Sequence, residues 1–215
     1  MHFESLAALR LLSAEGTVGD SKVPLQFPLQ LLLYCRFYFQ SNRVDVSKWD
    51  VRFLSTAKHI SEWSKDPSTQ VGAVAVRDRR ILATGYNGFP QGVMDLPTRL
   101  VDRDQKLLYT VHAEANIVSQ AARNGVSLDR STVYVWPFIP CNSCCTLLIQ
   151  AGFVRVVVPD VEIPDRWRKS FEISKQMFHE SGVHLTLIDP HLVSPDTYCR
   201  KVEFLQSDNS EKSGT

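Results

Sequence analysis

The stretch Thr132-Val133-Tyr134-Val135-Trp136-Pro137-Phe138-Ile139-Pro140-Cys141-Asn142-Ser143-Cys144-Cys145 holds two kinds of local structure in succession. Thr132 to Trp136 is β-branched and aromatic, which suits a buried strand. Pro140 then precedes a run from Cys141 to Ala151 with Leu147, Leu148 and Ile149 as apolar bulk and Gly152 as a stop, which predicts a helix. A strand feeding a helix is the repeating unit of a sheet covered by helices.

Outward from it the pattern repeats. Toward the C-terminus, Val154 to Val158 predicts a strand, Asp165 to Ser181 an amphipathic helix through Trp167, Phe171, Ile173 and Phe178, and His184 to Ile188 a last strand. Toward the N-terminus, His112 to Asn124 predicts a helix with Ala113, Ile117 and Ala121 on one face and Gly125 beyond its end. Gln70 to Val76 and Ile81 to Tyr86 predict a hairpin across the charged Arg77-Asp78-Arg79-Arg80, and Ser47 opens a helix carrying Trp49, Phe53, Ala57 and Ile60. The order predicts an α/β fold, a three-layer α/β/α sandwich around a mixed five-stranded sheet. Asn87 to about Thr110 is left as a loop, long for a compact domain and therefore a candidate for function.

The 215 residues suit one domain with appendages: an N-terminal extension over 1–45, the domain proper over 46–190, and a C-terminal tail over 191–215. In the extension, Gly16, Gly19, Pro24 and Pro28 interrupt any period before the apolar run Leu29 to Phe39, which suits a docked helix, an interfacial anchor or residues upstream of the true start. Ser207 to Thr215 is polar and expected to be disordered. A net charge of +1 from 24 Lys+Arg and 23 Asp+Glu offers no field for gripping long nucleic acid, so a small-molecule partner is expected. No apolar run approaches the roughly 20 residues that span a bilayer. Five cysteines, three of them crowded between 141 and 145, do not suit a disulfide framework. With no secretory or transit pattern at the N-terminus, the expected compartment is the cytoplasm.

Singly, His112, Cys141 or Cys144 would be an ordinary buried side chain. Together they form a donor set for zinc, Zn2+. Cys141 and Cys144 stand three apart at a helix start, one turn apart on one face, and the unpaired N–H groups there favour thiolate. Three protein donors leave a fourth tetrahedral position for water, which is the catalytic rather than the structural arrangement. Glu114, two residues after His112, is not needed in the metal shell and is available to move protons. Cys145 is turned about a third of a revolution away by the helix period and is expected in the core.

H-x-E followed by P-C-x-x-C is the pattern of zinc-dependent nucleobase deaminases. With Asp66-Pro67-Ser68-Thr69-Gln70-Val71-Gly72-Ala73, Gly85-Tyr86-Asn87-Gly88-Phe89-Pro90 and Ile149-Gln150-Ala151-Gly152, the chain from about Trp49 to Asp189 resembles the deoxycytidylate (dCMP) deaminases. The resemblance implies a cytidine deaminase-like fold and hydrolysis of dCMP to dUMP and ammonia, with Glu114 catalytic and zinc on His112, Cys141 and Cys144. It also implies that Asn87 bonds the sugar, that the Ala113 backbone reads the pyrimidine carbonyl, and that the protein is a homo-oligomer, many members being hexamers. Arg99, Arg103 and Lys106 are the cations of the loop after Asn87, weighed against a solvated face paired with Asp102 and Asp104. No cysteine and only His59 occur between Ser47 and Tyr109, so a single metal is expected. Ala115-Asn116-Ile117-Val118 departs from the Leu-Asn-Ala-Ile common in the family, and Trp136 is weighed as pocket wall or core. Other readings are another deaminase of the superfamily, acting on cytosine, a cytidine nucleoside or tRNA adenosine, and a zinc-stabilised nucleotide sensor without turnover.

Overall fold

The computed structural model describes residues 46–193; the expected extension, with its Leu29 to Phe39 run, and the tail beyond Val193 lie outside them. Helix α1 (Lys48–Ser61) starts on a reciprocal cap: Asp50 N–H donates to Ser47 Oγ at 3.2 Å while Ser47 N–H donates to Asp50 Oδ2 at 2.9 Å. Strands β1 (Gly72–Arg77) and β2 (Arg80–Tyr86) form the expected hairpin. Its two turn residues, Asp78 and Arg79, both adopt positive φ, 52° and 62°, the geometry whose twist matches the flanking strands.

Helix α4 (Ala113–Asn124), β3 (Thr132–Trp136), α5 (Asn142–Gln150), β4 (Arg155–Pro159), α6 (Asp165–Ser181) and β5 (His184–Ile188) follow in turn. The sheet order is β2-β1-β3-β4-β5, with β1 antiparallel to both neighbours and β3, β4 and β5 parallel, so the sheet is mixed.

Side chains alternate between its faces. Ala73, Ala75, Val133, Val135, Val156 and Val158 enter a core with Ile117, Leu148 and Phe178 from α4, α5 and α6. Their neighbours Val74, Val76, Tyr134 and Val157 meet Phe53, Leu54 and Ala57 of α1 on the opposite face. Burial on both faces is why the central strands read as unbroken apolar runs. A 3-10 turn, Pro190–Val193, follows β5, and its Val193 is buried in the cluster that includes Phe53, Leu54 and Ala57 of α1.

The segment expected as a plain loop carries two short helices, α2 (Pro97–Val101) and α3 (Arg103–Tyr109). Pro97 occupies the first position of α2, and the Asp102 side chain caps α3 by accepting from the N–H groups of Asp104 and Gln105 at 3.0 and 3.2 Å. Such short helices carry too few turns for a periodic pattern. Among the described residues no helix is long and apolar enough to cross a membrane.

Candidate active site

His112 and Cys141 are not inside helices, as expected from the sequence, but are the N-cap residues of α4 and α5. A Ser or Asp in that position would fold its side chain back onto the helix N–H groups. Neither His112 nor Cys141 does so, and both side chains are left to point at one another. His112 Nδ1 lies 3.5 Å from Cys141 Sγ and 3.4 Å from Cys144 Sγ. Tetrahedral zinc with bonds of about 2.3 Å to sulfur and about 2.0 Å to nitrogen requires a sulfur–nitrogen separation of about 3.5 Å, so the three donors fit the ion. They form the one group of three or more metal-ligating side chains among the described residues. Cys145 is fully buried and donates its S–H to the Ser174 carbonyl at 3.6 Å, a core thiol as expected.

The donors also share charge. The Cys144 S–H and the His112 ring hydrogen-bond to Cys141, and its thiol is brought down to about 4. The hydrogen bond to Cys141 raises His112 to about 8, against the effect of burial, while Cys144 is pushed up because it supplies the bonding proton and is buried. Glu114, in the first turn of α4, is 4% exposed, and burial raises its carboxyl above the ordinary range despite the His112 ring beside it. A carboxyl so placed holds a proton more readily than one in water, which suits a group that both takes and returns protons.

His112, Glu114 and Cys141 line a cavity of about 190 Å³. Asp66, Ser68, Thr69 and Asn87 line it together with Arg103, Lys106 and Thr110 after Asn87, and Phe138, Ile139, Trp167 and Phe171 supply its aromatic and apolar lining. Phe138 and Trp167 flank Phe171 with ring centroids 6.1 and 6.2 Å away. The aromatic wall was missed in the sequence. Phe138 and Ile139 adjoin the cysteine motif, but Trp167 and Phe171 have the spacing of ordinary core residues. Trp136 is not part of that wall: it packs on the α1 face, under Lys58 at 5.1 Å from its ring centre.

The expected substrate contacts come out unevenly. Ala113 is buried at the first position of α4, where its N–H has no helical carbonyl to meet. Asn87 lines the cavity, yet its Oδ1 accepts from Val71 N–H at 2.7 Å and its Nδ2 donates to the Thr69 carbonyl at 2.9 Å, leaving one N–H for a ligand. Of the expected cations, Arg99 lies over the Tyr109 ring at 4.6 Å, outside the cavity lining. Lys106 is buried and bonds Asp66 Oδ1 at 2.8 Å and Ser68 Oγ at 3.1 Å, so it is not part of a solvated face. Asp102 caps α3 instead of pairing with these cations. Arg166 in the first turn of α6, which no sequence signal marked, joins the exposed Arg103 in the lining, and neither has an acidic partner among the described residues.

Residues 47–159 match the model of the cytidine and deoxycytidylate deaminase zinc-binding region. The chain is 39% identical over 143 residues to an uncharacterized deaminase encoded in the luxG 3' region of Aliivibrio fischeri, covering 66% of this chain and 94% of that protein. It is 35% identical over 149 residues to the deoxycytidylate deaminase of Homo sapiens, covering 66% of this chain and 80% of that one. The crystal structure of dCMP deaminase from the cyanophage S-TIM5 in complex with dCMP and dUMP superposes with a TM-score of 0.52 at 26% identity, over 64% of this chain and 94% of that one.

Proposed function

The chain belongs to the cytidine and deoxycytidylate deaminase family, and from that membership we propose that it converts dCMP and water to dUMP and ammonia. The observation that carries this reading is the donor triad at zinc spacing with a buried carboxyl beside it, His112, Cys141 and Glu114 lining a cavity. The substrate choice is supported by the human relative and by the phage enzyme with dCMP and dUMP. Arg103 and Arg166 in the lining, neither with an acidic partner among the described residues, offer guanidinium groups to a phosphate, which a nucleoside lacks.

His112 Nδ1, Cys141 Sγ and Cys144 Sγ would hold the zinc. When bound, it supplies Lewis acidity that makes water a competent nucleophile at neutral pH. Glu114 takes a proton from the attacking water, delivers it to the ring nitrogen next to carbon 4, and carries a second proton to the departing amino group. The Ala113 N–H meets the pyrimidine carbonyl and the remaining Asn87 N–H meets the sugar, while Trp167 and Phe171 exclude water from the site. The catalytic domain is 46–190 extended to Val193, with 1–45 and the remainder of 191–215 as appendages.

Three thiols without a disulfide among the described cysteines support a reducing, cytoplasmic setting. Exposed Val101 and Leu108 on α2 and α3 support a homo-oligomer that covers them. The test is to incubate the purified chain with dCMP, dCTP, deoxycytidine and cytosine and follow ammonia release. Turnover of dCMP above the others is expected. Preference for deoxycytidine would overturn the substrate, and no release with zinc bound would favour a sensor.

A further inference from the structure

We propose that Lys106 is a positioning residue, latching the α2–α3 segment onto the turn at 66–69 and thereby holding one wall of the cavity in shape. Its effect on substrate rests on the deaminase reading; its effect on the free protein does not. Lys106 is the only residue of α2 or α3 that is buried. Apart from the half-buried Leu100 and a Tyr109–Phe89 ring contact at 5.7 Å, the apolar groups of the two helices are exposed, Val101 at 82% and Leu108 at 85%. An insert with so little buried apolar surface has little hydrophobic hold on the domain.

Lys106 instead makes a charge-assisted attachment at an enclosed site. Its Nζ lies 2.8 Å from Asp66 Oδ1, with the two side chains 6% and 11% exposed, and 3.1 Å from Ser68 Oγ. The same Asp66 oxygen accepts from the N–H groups of Ser68 and Thr69 at 2.7 and 3.0 Å. The Thr69 carbonyl accepts in turn from Asn87 Nδ2. Asp66, Ser68, Thr69, Asn87 and Lys106 all line the cavity, so one chain of bonds runs from the insert to the strand end. Burial works to raise the Asp66 carboxyl, but the Lys106 ammonium and the turn N–H groups hold it below its ordinary value, as a standing ion pair would. At the other end, Lys106's own carbonyl accepts from Thr110 N–H at 3.0 Å and Thr110 Oγ1 at 2.7 Å, two residues before His112.

A lysine held in this way is already committed to a carboxylate, and a phosphate ligand and a latch give opposite expectations for Asp66. Asp66→Asn keeps the oxygen that accepts from the turn and removes only the charge. A latch then loosens, whereas a lysine awaiting a phosphate is freed for it. The experiment compares full-length wild type with Lys106→Met, Lys106→Arg, Asp66→Asn and the double variant Lys106→Met/Asp66→Asn. Two readouts are taken: the rate of tryptic cleavage after Arg99 and Arg103 in the ligand-free protein, and KM and kcat for dCMP.

Lys106→Met and Asp66→Asn are each expected to speed cleavage and to raise KM by roughly 10- to 100-fold, the scale of a binding wall displaced by about 1 Å, with a smaller fall in kcat. Lys106→Arg keeps the charge and stays near wild type, and the double variant falls short of the product of the single effects because no buried charge is left alone. Unchanged cleavage in Lys106→Met, or a lowered KM in Asp66→Asn, would overturn the latch in favour of a phosphate ligand. Should Lys106→Met fail to fold, Asp66→Asn still decides by the sign of its KM and its cleavage rate. A wild-type protein that leaves dCMP untouched sinks the substrate reading alone, and ligand-free cleavage then tests the latch by itself.

Discussion

A side-chain carbon on Gly85 would stand 2.4 Å from the carbonyl oxygen of Ala113, and 3.0 Å from the backbone nitrogen of Ile117. Strand β2 and the first turn of α4 therefore meet backbone to backbone, and the depth at which His112 and Glu114 sit is set by the side chain that Gly85 lacks. Gly85→Ala should lift that turn, cost about 1–3 kcal/mol of stability, the usual scale of overpacking, and lower bound zinc and turnover together. Zinc stoichiometry and ammonia release on the folded variant check this; a fully loaded, fully active protein would show that the helix start is not seated there.

Glu114 is enclosed beside His112, Cys141 and Cys144 but is not part of the group that could hold a metal. Glu114→Gln preserves shape and removes the proton transfer. Zinc content should stay at wild type while kcat falls by at least about 10²- to 10⁴-fold, the range of general acid–base catalysis. Steady-state rates beside a metal assay on the same sample test it, and near-normal turnover would remove Glu114 from the mechanism.

The two N-cap donors tie α4 to α5, so the metal should also stabilise the fold. With free zinc 100-fold above its Kd the gain is about 2.7 kcal/mol, or roughly 5–10 °C in Tm for a domain of this size. Chelation should lower Tm by that order, and zinc but not magnesium should restore it. Cys141→Ser should melt at the chelated temperature with or without zinc; if chelation leaves the melting curve of the wild type unmoved, the triad does not bind the ion.

Arg166 lines the cavity without an acidic partner among the described residues. If it meets the phosphate, Arg166→Gln should lose a charge-assisted hydrogen bond of about 1.5–3 kcal/mol, a roughly 10- to 150-fold rise in KM for dCMP. Deoxycytidine turnover, however slow, should be unaffected. Equal losses on both substrates would assign Arg166 to structure.

On the face away from the site, Asp50 Oδ1 accepts from Arg155 Nη1 at 2.7 Å and from the Tyr134 hydroxyl at 2.8 Å. Burial acts to raise the Asp50 carboxyl, but Arg155, the Ser47 N–H and Tyr134 outweigh it and the net shift is downward. A carboxyl lowered in the folded state contributes stability that is present above its unfolded value, about 3.9, and is lost as pH falls through the folded value. Asp50→Asn should cost up to about 3 kcal/mol by leaving the half-buried Arg155 without its counter-charge, and should flatten the acid limb of stability against pH. Urea unfolding from pH 7 down to 3 measures both; an acid limb as steep as wild type would mean that Asp50 does not govern it.

What could be read along the chain was whatever depends on near neighbours. The apolar runs Ala73 to Val76 and Val156 to Val158, the stops at Gly125 and Gly182, and the three-residue spacing of Cys141 and Cys144 each express a helical or strand period within a few residues. Those periods alone determined a mixed sheet between helices, and with the family resemblance they pointed to His112, Cys141 and Cys144 as candidate zinc donors and to Glu114 as the candidate proton carrier. Only the tertiary structure decided which long-range partners each side chain meets. Lys106 and Asp66 lie 40 residues apart, and nothing local distinguishes a lysine bound for a buried carboxylate from one bound for water. Trp136 and Trp167 are equally aromatic, yet strand alternation sends the first to α1 while the start of α6 carries the second to the cavity. Periodicity sets the face of an element that is apolar, whereas the packing of several elements at once sets what that face touches.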